Sequence, residues 1–303
     1  MKNLLIIGGT GFLGTAIVGE LARRTASADF QFTLPTRRRD HAKHLLVLPT
    51  ATVVEADVHD PATLARLMVG QDAVISLVGI LKGGEGEPYG KGFARAHVEL
   101  PQKIAAAAKA AGVRRVLHVS ALKAATDAPS GYLRSKAAGE ALLREADLDL
   151  TLFRPSVIFG PGDSFLTLFA RLARIAPFFP LAGAAARFQP VWVGDVAAAV
   201  ADSLLRPESI GAAYDLCGPK QYSLRELVSY AAEVSGHPRA VVGLPEAVAW
   251  LQAWSMEFIP NGPMTRDNIR SMRVASVCDS GCALPFGRIA TPLEIVAPTY
   301  LRG

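Results

Sequence analysis

The chain has 303 residues, 50% hydrophobic and 19% charged, with a net charge of +5 and an isoelectric point near 9.2. That composition supports a large buried core in one large or two unequal domains and excludes a disordered polymer. The lysines and arginines are dispersed, so nucleic acid is not an expected partner, and no transmembrane span is expected.

The first residues run straight into an apolar strand, without a charged segment and a cleavage site, so an intracellular location is expected. Leu4 to Gly8 reads as that strand and Phe12 to Arg24 as an amphipathic helix, with Gly8, Thr10, Gly11, Phe12, Leu13 and Gly14 around the junction. Glycine there allows a tight turn and close approach of backbone to phosphate. The helix N-terminus adds unpaired N–H groups and the positive end of its dipole. The junction is expected to hold the pyrophosphate of a dinucleotide, the alternative being a plain turn.

Phe32 to Thr36 reads as a second strand, ending in Arg37-Arg38 where an acid would bind ribose hydroxyls. Guanidinium groups pair with a 2′-phosphate in bidentate geometry, so NADP(H) is expected over NAD(H). The alternative is a solvated run of charge. Thr52 to Glu55 and Ala73 to Val78 read as further strands, the third followed by Asp57-Val58 and the fourth by Gly79. Asp60-Pro61 starts a helix as an N-cap and first-turn proline do, and Phe93 to Ala111 reads as one long helix closed by Gly112.

Arg115 to Ser120 is the fifth strand, Leu133 to Ala146 a helix and Leu150 to Arg154 the sixth strand. The alternation predicts an α/β fold, a Rossmann doubly wound parallel sheet over residues 1–154 with ligands at the carboxyl ends of its strands. Residues 155–303 are richer in Pro, Gly and aromatic residues and form a smaller, less regular substrate or partner region. Residues 195–217 return to the sheet as a helix, Asp195 to Leu205, and a strand, Tyr214 to Cys217. Asp195 reads as the N-cap of that helix.

Ser120 ends the fifth strand, and Tyr132 and Lys136 share one face of the following helix. A phenol is a poor acid or base near neutrality, and an adjacent ammonium is expected to bring its pKa down. Cys217, Cys278 and Cys282 form neither a disulfide framework nor a CxxC pair, so they read as buried or idle thiols and no metal site is expected. Residues 165–181 and 245–263 are rich in large apolar side chains. They read as core, as a lid, as a hydrophobic pocket or as a face for a membrane surface or a partner.

The Gly8-x-x-Gly11-x-x-Gly14 spacing with its extra Gly9 resembles extended and atypical short-chain dehydrogenase/reductases and related NAD-dependent epimerase/dehydratase-like proteins. That resemblance implies adenine contact at Asp57 and Val58, and a cofactor floor at Leu77, Val78 and Gly79. It also implies a nicotinamide-facing loop from Arg154 through Pro155 and Val157 to Gly162. Tyr132 would be the acid/base, Lys136 would hold the nicotinamide ribose, and Ser120 would polarise the substrate oxygen. Eleven residues lie between Ser120 and Tyr132, fewer than usual in extended members, and His97 stands near the position of a helical Asn. The loop, residues 76–79, 132–140 and 154–162, and Met264-Thr-Arg-Asp-Asn268 together resemble bacterial relatives of the NADPH-binding accessory subunit of respiratory complex I. Beside a redox sensor that reports NADP(H) through a protein partner, two functions follow. One is a reductase moving hydride to or from a hydrophobic carbonyl or quinone-related substrate. The other is a non-catalytic NADPH-binding accessory or assembly protein linked to complex I or ubiquinone metabolism, in contact with the respiratory complex or peripheral at the inner face of the membrane.

Overall fold

A computed structural model describes residues 2–24, 30–259, 262–279 and 283–302. Its strands in chain order begin with β1 (Lys2–Ile7), β2 (Phe30–Thr36), β3 (Ala51–Glu55), β4 (Ala73–Ser76), β5 (Arg115–Val119) and β6 (Asp149–Pro155). The short β7 (Ile158–Phe159), β8 (Phe178–Leu181), β9 (Arg187–Phe188) and β10 (Val191–Trp192) follow, then β11 (Ala213–Leu216), β12 (Tyr222–Ser223) and β13 (Ala240–Gly243). Among the described residues, seven strands form one parallel sheet in the order β11-β6-β5-β4-β1-β2-β3.

The apolar run of β1 explains its central place, because both of its faces are covered. Leu4 and Ile6 point into a core shared with α1 (Phe12–Arg24) and, later in the chain, the helix Val193–Leu205. Leu5 and Ile7 point into the opposite core, with α2 (Pro61–Met68) and the C-terminal end of the helix Gly131–Glu145. The chain order reverses direction between β1 and β4, which opens a crevice at their carboxyl ends.

The long helix expected over Phe93 to Ala111 is broken in kind. A single turn, α3 (Lys91–Phe93), leads into a π-helical segment at Ala94–Glu99, and only then into α4 (Leu100–Ala111). The Leu100 N–H donates to the carbonyl of Arg95, five residues back. This wide turn accommodates Pro101, which has no N–H to give and whose ring crowds the carbonyl four residues earlier, that of His97. The displaced His97 carbonyl faces α5 (Gly131–Glu145) at Gly139, where a Cβ would lie 2.1 Å from that oxygen. Only glycine lets the two helices approach so closely.

In the less regular region, α6 (Leu166–Ile175) packs on α8 (Leu224–Val234), with α7 (Val193–Leu205) between them in the chain. α9 (Glu246–Glu257) and α10 (Arg266–Ser271) follow, and two short helices, α11 (Leu293–Val296) and α12 (Pro298–Leu301), come after them. Two sequence expectations are corrected here. Asp195 is not an N-cap: it lies inside α7 and accepts hydrogen bonds from the N–H and hydroxyl of Thr291, at 2.7 and 3.0 Å, tying down the C-terminal segment. Cys217 and Cys278 are not idle thiols but are joined in a disulfide. The end of β11 and residues 276–278 meet because Gln189 bridges them, its N–H donating to Ser276 and its side-chain oxygen accepting from Cys278 N–H. Cys282 lies outside the described residues. Among the described residues no helix is long and apolar enough to cross a membrane.

Candidate cofactor and active site

Gly8 to Gly14 leave β1 at the crevice. Gly8 has φ +89°, which the turn demands, and Gly11 N–H closes it onto the Gly8 carbonyl at 3.1 Å. Gly14 packs against Gly8 and Gly9, which sets the first turn of α1 directly after the loop, and a helix N-terminus so placed offers unpaired N–H groups to an anion. Leu13 faces inward onto the core, and the Phe12 ring reaches toward Gly160 and Gly162. Leu77 lies against Gly8 and donates its N–H to Ile7, so the ends of β1 and β4 bring residues 8–14 and Leu77, Val78 and Gly79 together. The backbone shape fits a dinucleotide pyrophosphate.

Arg37 and Arg38 follow β2, both exposed, in a turn held by the Thr36 hydroxyl at 3.3 Å from Arg38 N. Asp57, after β3, accepts from His59 N–H at 2.9 Å and pairs with Arg95 at 3.7 Å, while Val58 is half-buried beside it. Burial, then the positive charges of Arg95, Lys103 and Arg37, outweigh the opposing pull of Asp57 and lower the His59 pKa. Arg37, Arg38 and Arg95 place positive charge at this end of the crevice, with Asp57 beside them. Arg95 was not singled out from the sequence, because it reads as one more polar residue on a helix.

Ser120, Tyr132 and Lys136 lie at the other end. The buried Lys136 ammonium donates to the carbonyls of Val78 and Val119, at 3.3 and 3.2 Å, and sits against Gly79. Burial pulls its pKa down to about 8, with Glu140 opposing the shift. Glu140, one turn further along α5, is itself buried and paired with Arg154 of β6 and Arg144. The Tyr132 ring stands edge-on to His97 at 5.6 Å and to Phe93 at 6.1 Å. Burial pushes its pKa up to about 12, which reverses the expectation that the neighbouring ammonium would lower it. Ser120 Oγ is buried and has no hydrogen-bond partner among the described residues, so it is not bonded to Tyr132.

His97 has a fixed structural task. Its Nε2 accepts from Ile80 N–H at 3.0 Å, and Ser135 donates its hydroxyl proton to the Tyr132 carbonyl, so His97 Nδ1 donates to Ser135 Oγ at 2.9 Å. Burial, with Lys136 next in effect, keeps the ring neutral. Pro155 ends β6 and accepts from Leu122 N–H just beyond Ser120; Val157 accepts from Val191 N–H. These two are set by backbone bonds at the edge of the crevice, apart from the arginine end.

A residue that sequence reasoning passed over completes the helix carrying Tyr132. The Asp267 carboxylate, from α10, accepts from the N–H groups of Gly131 and Tyr132, at 2.7 and 3.0 Å, while the Ser130 hydroxyl accepts from Leu133 N–H. Asp267 was visible only as part of the 264–268 resemblance, since nothing local reveals a cap supplied from 136 residues away. Nearby, Phe93, Lys82, Thr265, Glu257 and Ile259 line a cavity of about 340 Å³. Its Phe93 wall is the ring that contacts Tyr132.

A family model described as NAD(P)H-binding matches residues 8–163. The chain is 30% identical over 307 residues to "NADH dehydrogenase [ubiquinone] 1 alpha subcomplex subunit 9, mitochondrial" of Mus musculus, covering 98% of this chain and 79% of that protein. It is 32% identical over 257 residues to the ceramide reductase of Caulobacter vibrioides, covering 82% of this chain and 77% of that one. Among solved structures, the NADPH-dependent quinone oxidoreductase QOR2 of Escherichia coli complexed with NADPH superposes with a TM-score of 0.77 at 23% identity, over 98% and 99% of the two chains.

Proposed function

We propose, from the premise that this chain belongs to the NAD(P)H-binding family and is homologous to both a complex I subunit and bacterial reductases, that it is an NADPH-dependent reductase of a hydrophobic carbonyl or quinone-related compound. The observation that carries this reading is the buried Lys136 ammonium, lying against Gly79 beneath the crevice and one helical turn from Tyr132. Gly8, Thr10, Gly11, Phe12, Leu13 and Gly14 would cradle the pyrophosphate, and Leu77, Val78, Gly79, Pro155 and Val157 the nicotinamide half. Asp57 and Val58 would border the adenine. Arg37 and Arg38, with Arg95 behind them, favour a 2′-phosphate and hence NADP(H) over NAD(H).

NADPH held there would supply the hydride for the carbonyl carbon. A phenol with a pKa near 12 keeps its proton at neutral pH. Tyr132 would therefore act as the acid that delivers a proton to the oxygen as negative charge grows there. The unsatisfied Ser120 hydroxyl would donate to the same oxygen, and Lys136 would hold the ribose. Tyr132→Phe tests the reading: carbonyl reduction is expected to fall by about 100-fold or more while NADPH affinity is unchanged. Unchanged turnover, or none in the parent across carbonyls and quinones, overturns it. Cofactor choice is read separately with Arg37→Ala/Arg38→Ala, expected to weaken NADPH by about 10- to 100-fold and leave NADH nearly unaffected.

A second reading is supported by the relative from complex I: a non-catalytic NADPH-binding protein, in contact with a respiratory complex or peripheral at a membrane. Under it, the same substitution at Tyr132 changes nothing measurable in turnover.

A further inference from the structure

The outer face of the less regular region is apolar where a free surface should be polar. β8 and β13 pair in parallel with Phe178 beside Ala240 and Pro180 beside Val242, and these four residues turn to solvent while Phe179 and Leu181 turn inward. α9 lies next to this small sheet, its Gln252 side chain donating to the Pro180 carbonyl at 3.1 Å. The helix buries Ala249 and Ala253 and presents Leu251, Trp254 and, just past its end, Phe258 to solvent, at 62%, 47% and 71% exposure. Trp254 and Phe258 stand edge to face at 5.1 Å, so the two rings are held outward as a pair. Sheet and helix, tied at the Gln252–Pro180 bond, thus both turn large apolar side chains to solvent, which soluble proteins seldom do over neighbouring elements.

Around this surface the charges that lack an ion-pair partner on α9 are not acidic, and the sheet side is basic. Residues 164–186 and 238–245 contain no acidic residue and carry Arg171 and Arg239. The two glutamates of α9 are both neutralised, Glu246 by Arg273 and Glu257 by Arg266. Arg225 and Arg239 donate to main-chain carbonyls, those of Val241 and Ala173, at the rim of β13. Apolar and aromatic side chains ringed by cations fit the headgroup and upper acyl region of an anionic bilayer, where tryptophan and phenylalanine insert and guanidinium groups meet phosphate.

We propose that the face built from α9 and the β8–β13 sheet docks this protein on an anionic phospholipid membrane. Ile259, which continues the stripe, also lines the cavity that reaches Phe93. Resting on the reductase reading, this orientation turns the mouth of the substrate cavity to the lipid, and a carbonyl compound dissolved in the bilayer enters past Ile259.

Flotation of the full chain with vesicles rich in phosphatidylglycerol, and with phosphatidylcholine vesicles alone, tests the docking without any turnover. The chain is expected to float with the anionic vesicles, and Leu251→Glu/Phe258→Glu to reduce the bound fraction by about tenfold, with Arg171→Glu giving a smaller loss. NADPH titration and thermal unfolding are expected to match the parent in these surface variants. Trp254 emission is expected to shift to the blue on anionic vesicles in the parent, and that part of the shift to vanish in Trp254→Phe. Failure to float, equal binding by parent and variants, or a dimer in solution that the same substitutions dissociate overturns the proposal. A chain that binds vesicles but reduces no carbonyl sinks the reductase reading and leaves the docking surface standing.

Discussion

Burial acts on Tyr132 and Lys136 in opposite senses, because one is neutral when protonated and the other charged. The consequence for Lys136 is measurable. Its folded pKa of about 8 lies below the ordinary 10.5, so between those values the unfolded chain keeps a proton that the folded one has released. Folding stability attributable to Lys136 therefore rises with pH across that window and is smallest below about 8. Urea unfolding of the parent and of Lys136→Met, compared at neutral pH and near pH 9.5, is expected to show the parent gaining about 1–2 kcal/mol relative to the variant. A parallel pH response in the two proteins refutes the assignment. Tyr132 and Lys136 could be picked from the sequence because residues four apart share a helical face, a rule that is local. The state of their protons could not, because it depends on what buries them.

At the scale of elements, the six strands from β1 to β6 were legible because short apolar runs of strand length separate helical periods, and both faces of a parallel sheet are covered. Helix ends and helix type were less so. The π-helical turn at Ala94–Glu99 arises from Pro101 and from the contact of the His97 carbonyl with Gly139, a pairing between two helices that periodicity does not encode. α5 starts at Gly131, two residues before the expected Leu133, because Ser130 and Asp267 satisfy its first N–H groups. Asp267→Asn keeps one accepting oxygen and loses both the second and the negative charge at the helix N-terminus. It is expected to cost about 1–3 kcal/mol in folding stability, read by denaturant unfolding. A loss within error of zero would mean that Ser130 suffices as the cap.

For the whole molecule, the fold class was legible, and the arrangement of the less regular region was not, since its ties are contacts between distant segments. Asp195 to Thr291, Tyr300 to Asp163, Arg270 to Glu85 and the Cys217–Cys278 disulfide all join residues far apart in the chain. Residues 165–181 divide between the readings open to sequence: Leu166, Ala170, Phe179 and Leu181 are core, while Ile175 and Phe178 are surface. Hydrophobicity alone gives no direction to a side chain; the pairing of β8 with β13 does.

The cap on α5 also bears on how the protein is made. Tyr132 and Lys136 leave the ribosome well before Asp267, so the helix that carries them stands without this part of its cap until α10 follows. A chain cut short before α10 would lack this carboxylate, leaving the Ser130 hydroxyl at the N-terminus of α5. The carboxylate that completes the N-terminus of α5 thus comes from a segment made 136 residues after it.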